Sequence, residues 1–122
     1  MPAWLKLTGA LGIVAGLYLN HIALLANTFA AAVVKIQTER KQQVVSTGPY
    51  AYVRHPMYAG AIPLLLGTPL LLGSWWGVAT GVVLIGLLAW RAVLEEETLA
   101  RELEGYAAYA ARVRYRMVPG VW

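Results

Sequence analysis

The sequence predicts an all-α integral membrane protein with about three transmembrane helices: one long N-terminal span, then a Pro/Gly-rich helical hairpin. A C-terminal amphipathic interfacial helix completes it. Three observations carry that prediction. Of 122 residues, 59% are hydrophobic and only 13% are charged, against roughly 25% charged in an ordinary soluble domain. Two long apolar runs, residues 7–34 and 61–90, are separated by a polar connector. The basic residues flank these runs, as juxtamembrane residues do. The length allows a single membrane-embedded domain, residues 1–122.

Residues 7–34 form the first expected span, interrupted only by Asn20, His21 and Asn27. About 20 helical residues cross a bilayer, so the run has length to spare. It outlasts the 7 to 15 apolar residues of a typical signal peptide, and the expectation is a retained anchor. Gly9, Gly12 and Gly16 thin one face of it for close approach of another helix. Asn20 and His21 are costly at membrane depth, and interhelical hydrogen bonding or an acceptor route are the alternatives for them.

The polar connector, residues 35–55, reads "KIQTERKQQVVSTGPYAYVRH". The second apolar run is read as two helices, 57–72 and 75–93, because Pro63 and Pro69 disturb its first half and "GSWW" at Gly73 to Trp76 sets a turn beside interface-loving aromatics. Charge placement agrees. A hairpin puts Lys35, Arg40, Lys41 and Arg54 on the same side as Arg91, Arg101, Arg112, Arg114 and Arg116, with Lys6 opposite. The positive-inside rule then puts connector and tail in the cytoplasm of a multi-pass protein. Gly73, Gly77 and Gly81 give the last span a smooth stripe. Leu94, Leu99, Leu103, Tyr106, Ala110, Val113 and Met117 recur at helical spacing, so residues 94–117 are expected as the amphipathic helix. Pro119 and Gly120 end it.

Several function classes fall away at this point. The chain has no Cys, hence no disulfide, thiolate metal site or cysteine nucleophile, and no metal site is expected. The net charge of +4 and isoelectric point near 9.6 come without zinc spacing, an RNA-binding signature or a basic recognition helix, so no nucleic-acid partner is expected.

Chemistry concentrates in two clusters. "TGPYAYVRHPMYAG", Thr47 to Gly60, sets Arg, His and Tyr among helix-breaking Gly and Pro, and "RAVLEEE", Arg91 to Glu97, follows the second apolar run. A hairpin joins its two ends, which brings Tyr50, Arg54, His55 and Tyr58 beside Arg91, Glu95 and Glu96 at the bilayer surface. Irregular backbone at that depth is tolerated where it lines a cavity. Arg91 and Glu95 are spaced to pair on a helix, while Glu96 points about 100 degrees away, free for another partner.

"TGPYAYVRHPMYAG", then "RAVLEEETL", then "GYAAYAARVRYRMVPGVW" resemble the isoprenylcysteine carboxyl methyltransferase family, within the wider group that includes phospholipid N-methyltransferases. The resemblance runs from about Asn27 to Trp122. It implies an integral membrane methyltransferase that uses S-adenosyl-L-methionine and releases S-adenosyl-L-homocysteine, with a lipophilic or prenylated acceptor entering from the bilayer. By motif it implies that Tyr50, His55, Pro56, Tyr58, Gly60, Glu95 and Glu96 line the cofactor pocket. Arg54 and Arg91 are then the candidates for an anionic acceptor or the cofactor carboxylate, and Arg54, His55 and Arg91 the catalytic candidates. Family members usually carry more spans ahead of the motif, and a second copy packed through the glycine faces is one way to complete the acceptor tunnel.

These side chains suit the cofactor. A sulfonium, an amino group, a carboxylate and an adenosine call for acidic, basic and aromatic partners in a small volume. A carboxylate acceptor needs no general base, whereas an amine or thiol must lose a proton, with His55 as the nearest base. The competing class is a non-catalytic membrane module whose glycine stripes pack against a partner.

Overall fold

A computed structural model describes residues 1–37, 44 and 46–122, with the side chains of residues 29–37 left aside. Arg40, Lys41 and the side chain of Lys35, all counted in the expected connector, lie outside the described residues. The elements are α1 (Ala3–Gln37), a 3-10 turn (Gly48–Ala51), α2 (Pro56–Leu72), α3 (Trp75–Glu102) and α4 (Tyr106–Arg112). Among the described residues there is no strand, only an isolated bridge between Val53 and Tyr115. The fold is that of an all-α membrane protein: α1 and α3 each hold a segment long and apolar enough to cross a bilayer, and α2 is a shorter apolar helix.

Close backbone approach fastens α1 to α2. A Cβ on Gly9 would lie 2.5 Å from the Gly67 carbonyl oxygen, and one on Gly67 equally close to that of Gly9; a Cβ on Gly16 would lie 2.6 Å from Gly60 O. The pairs run in opposite order along the two helices, so α1 and α2 are antiparallel and meet where neither carries a side chain. This is the glycine-mediated packing open to helices whose apolar surfaces gain nothing by leaving lipid. The hairpin forms as expected. Gly73 closes α2 at φ 76, a conformation that costs glycine nothing, and the Ser74 hydroxyl accepts from Gly77 N at 3.0 Å to cap α3. Gly77 and Gly81 then abut Pro69 and Leu65 of α2, so α2 is held between α1 and α3. A Cβ on Gly73 would lie 3.3 Å from Lys6 Cε, which sets the start of α1 and the hairpin tip at one end. Exposed Trp4, Trp75 and Trp76 mark that end, and Trp90 marks the other, as interfacial aromatics do.

The C-terminal region differs from the expected 94–117 helix. The last span does not stop at residue 93: α3 runs on to Glu102, because Arg91 to Glu102 contains neither Gly nor Pro and is rich in helix formers. The helix then breaks. Leu103 turns extended, at φ -104 and ψ 113, and Gly105 takes φ 89, a left-handed conformation open chiefly to glycine. After α4 the chain stays non-helical. Its amides and carbonyls find partners elsewhere: Arg54 N donates to Tyr115 O at 2.9 Å and His55 N to Arg116 O at 2.8 Å. Tyr106, Val113 and Met117 are buried, as the apolar spacing implied, but by folding back under residues 48–55 and not along one helix.

Candidate functional site

Pro56 begins α2 with its fixed φ and missing N–H, and it keeps His55 out of helical conformation, at φ -126 and ψ 67. The Tyr50 to His55 segment therefore arrives as irregular backbone against the C-terminal turns of α3. His55 and Tyr58, either side of the helix start, stack with centroids 5.4 Å apart and planes 6° from parallel.

Six residues singled out from sequence line one cavity of about 390 Å³: Tyr50, Arg54, His55, Pro56, Tyr58 and Glu95. The volume falls in the range of about 300–1,000 Å³ of small-molecule sites. Tyr58 donates to Glu95 Oε1 at 2.5 Å, and Arg91 Nε donates to the same oxygen at 2.9 Å, the helical pair that the spacing implied. The cavity is completed by residues the motif did not nominate, chiefly Leu99, Leu103, Tyr106 and Tyr109. Tyr106 had been read only as part of an apolar stripe.

Three nominated residues stand elsewhere. Glu96, which the resemblance placed in the pocket lining, is a buried hub and not among the residues that line the cavity. Its Oε1 meets Arg54 Nη1 at 2.8 Å, and its Oε2 accepts from His55 Nε2 at 2.9 Å and from Arg116 Nε at 3.0 Å. Charge in a low-dielectric setting has to be paired, and here the C-terminal tail supplies the third partner. Gly60 does not line the cavity either. A methyl there would run into the Asn20 amide and Gly16 O, so its role is the α1–α2 crossing. Arg91 does not line the cavity: it is 71% exposed and borders a neighbouring depression that shares Glu95 and Leu99 with the cavity lining.

The tail matters to this geometry. Arg116 stacks over Trp122, 4.9 Å from the ring centroid, and Arg54 Nη2 reaches Arg114 O at 3.4 Å. Tyr109, 2% exposed, donates from its hydroxyl to Tyr50 O at 2.7 Å. Burial raises the Tyr50 and Tyr109 hydroxyls above the ordinary tyrosine range, which keeps both protonated at neutral pH. The tail's signal in the sequence was weak: alternating Arg114 and Arg116 in "RVRYRM" fit a solvated helix face equally well.

Two residues of the lining each hold one buried side-chain atom without a hydrogen-bond partner among the described residues, Arg54 at Nε and Tyr106 at its hydroxyl. With a carboxylate at Glu95, a guanidinium at Arg54 and the rings of Tyr50, Tyr58 and Tyr106 in its lining, the cavity fits a small ligand of mixed charge that carries an aromatic portion. A second cavity of about 600 Å³ borders the same 48–56 segment through different, mostly apolar residues, among them Leu19, Ile22, Pro49, Ala59 and Met117.

Comparison with known proteins follows the same line. Residues 4–105 match the model of the phospholipid methyltransferase family. A Protein-S-isoprenylcysteine O-methyltransferase from Schizosaccharomyces pombe is 35% identical over 86 residues, which cover 69% of this chain and 35% of the relative. The chain thus spans about a third of the length of the curated relative it matches.

Proposed function

The chain belongs to the phospholipid methyltransferase family, and from that premise we propose that it is a membrane methyltransferase that uses S-adenosyl-L-methionine and acts on a lipophilic acceptor, a carboxylate of isoprenylcysteine type first. The observation that carries this reading is the single cavity in which Tyr50, Arg54, His55, Tyr58 and Glu95 meet from two distant stretches of chain. The apolar cavity beside it supports a lipophilic acceptor.

When bound, S-adenosyl-L-methionine supplies an electrophilic methyl on a sulfonium and leaves as S-adenosyl-L-homocysteine. Glu95 offers a carboxylate to its amino group or ribose, and the tyrosine faces suit the sulfonium or adenine. Glu96 holds Arg54 and His55 in place and does not itself enter the cavity. Methyl transfer is an in-line displacement in which positioning and exclusion of water do most of the work. A carboxylate acceptor forms its ester C–O bond without a base. For an amine acceptor, a proton must leave. His55 Nε2 donates to Glu96, which leaves Nδ1 as the ring nitrogen able to take it.

The cavity opens to the cytoplasm in this reading. Arg54, Arg91, Arg101, Arg112, Arg114 and Arg116 belong to the cavity end, while Lys6 stands at the opposite end beside the hairpin tip. Purified protein in lipid vesicles, given S-adenosyl-L-methionine with a labelled methyl group, tests the activity against a panel of lipophilic acids, amines and thiols. Label in a base-labile ester of a prenylcysteine acid supports the carboxylate version; label confined to amines replaces it with the amine version; and no transfer to any acceptor contradicts the enzyme reading.

A further inference from the structure

Two short segments of chain serve both cavities. Val53 and Tyr115 form a parallel bridge, and the Arg54 and His55 amides donate to the Tyr115 and Arg116 carbonyls. Along each segment, neighbouring side chains go to different places. Val53, 4% exposed, and Met117, 3% exposed, line the apolar cavity, while Arg54 and Arg116, next to them in sequence, both meet Glu96. Neighbours on strand-like backbone face opposite ways, and here the alternation sorts apolar side chains from guanidiniums.

The apolar cavity calls for a hydrocarbon chain. Among the described residues its lining carries no charge, and Leu19 and Ile22 in that lining belong to the membrane-crossing stretch of α1. Met117 and Pro119 of the tail supply another part of the wall. A chain seated there touches those two residues only while the tail is docked, so it binds the docked tail better than a loosened one. Such a difference in affinity is what lets a ligand shift an equilibrium. Arg116 shares Glu96 with Arg54 and His55, and these two line the first cavity. The docked tail is therefore also the state in which Arg54 and His55 are held.

We propose that Tyr115 to Pro119 is a strap shared by the two cavities: Met117 contacts a hydrocarbon chain in the apolar one, and Arg116, acting through Glu96, links that docking to Arg54 and His55 in the other. Arg116 is then a positioning residue. Linkage requires the effect to run both ways, so a ligand in either cavity tightens the same strap. The proposal rests on the methyltransferase reading for the identity of the occupants, a lipophilic acceptor chain and the adenosyl cofactor.

Amide hydrogen exchange of the full chain in lipid nanodiscs, read residue by residue, tests the strap, with farnesol as the apolar probe and S-adenosyl-L-homocysteine as the polar one. The Arg54 and His55 amides report tail docking, and those of Gly73 and Ser74, bonded within the hairpin turn, serve as controls. Farnesol at about ten times its dissociation constant should slow the first pair about tenfold, the mass-action effect of a ligand that binds only the docked state, and leave the controls unchanged. S-adenosyl-L-homocysteine should slow the same pair. At equal farnesol occupancy Met117→Ala should lose most of the slowing, whereas Met117→Leu, close in volume, should keep it. Farnesol that does not bind, that binds without slowing the pair, or that slows the controls equally overturns the proposal. So does full slowing in Met117→Ala, or bound S-adenosyl-L-homocysteine that leaves the pair unchanged. The wild-type comparison needs no substitution, so it stays decisive if Met117→Ala misfolds. Wild-type protein that binds no S-adenosyl-L-homocysteine contradicts the methyltransferase reading instead, and slowing by farnesol would still support the strap.

Discussion

Arg116 Nε donates to Glu96 Oε2 at 3.0 Å, across twenty residues of chain and a helix break. The same oxygen accepts from His55 Nε2, and the other oxygen meets Arg54. One buried carboxylate on α3 thereby ties the irregular segment before α2, which supplies part of the cavity wall, to the non-helical tail.

Glu96→Gln and Glu95→Gln are expected to separate stability from binding. Glu96→Gln strands two guanidiniums at a site 8% exposed and should cost about 3 kcal/mol, the lower end for a broken buried pair. Glu95→Gln touches a half-buried carboxylate on the cavity wall and should leave the melting temperature nearly unchanged while weakening S-adenosyl-L-homocysteine. Thermal unfolding in detergent beside binding checks both, and the reverse pattern would contradict the hub.

Arg116→Ala should loosen the tail. The Arg54 and His55 amides donate to Tyr115 and Arg116 carbonyls, so their hydrogen exchange is expected to quicken by about tenfold, equivalent to about 1.4 kcal/mol of lost local stability. Arg116→Lys should recover only part of the protection, since an ammonium lacks the planar stack on Trp122. Unchanged exchange in Arg116→Ala would show that the backbone bonds hold the tail unaided.

Gly67→Ala and Gly86→Ala test the helix crossing. A methyl at Gly67 lies 2.5 Å from Gly9 O, whereas one at Gly86 meets nothing within 4 Å. Overpacking at the first should cost about 1–3 kcal/mol, and the second should gain up to about 1 kcal/mol in helix propensity. Thermal unfolding of the two variants checks the contrast, and similar stabilities would mean that α1 and α2 do not meet through these glycines.

Tyr109→Phe should destabilise by about 1 kcal/mol, because it leaves the Tyr50 carbonyl without its buried donor. Tyr106→Phe should not, although both rings pack in the same small core. A pair of melting curves decides between them.

What the sequence made legible follows from local rules. Pro63, Pro69 and the Gly73–Ser74 turn signalled the hairpin, and four-residue spacing signalled the Arg91–Glu95 pair. Partners that come from far along the chain left no such mark. Spacing left the partners of Glu96 unnamed because Arg116 reaches it only after the helix break at Leu103 to Gly105, and the apolar spacing from Leu94 to Met117 ran through that break unchanged. Periodicity also counts tyrosine as apolar, so it placed Tyr106 inside without noticing the hydroxyl. Gly60 shares the motif of the site residues, but its cause is steric: the Asn20 amide of α1 occupies the space a side chain would need.

The most direct test of the central claim is an experimental structure determined with saturating S-adenosyl-L-homocysteine in a lipid or detergent environment. The account predicts the ligand in the cavity bounded by Tyr50, His55, Tyr58, Glu95 and Tyr106, with Glu96 still bound to Arg54, His55 and Arg116 behind it. A ligand seated elsewhere, or a well-ordered protein with that cavity vacant at saturation, would contradict it.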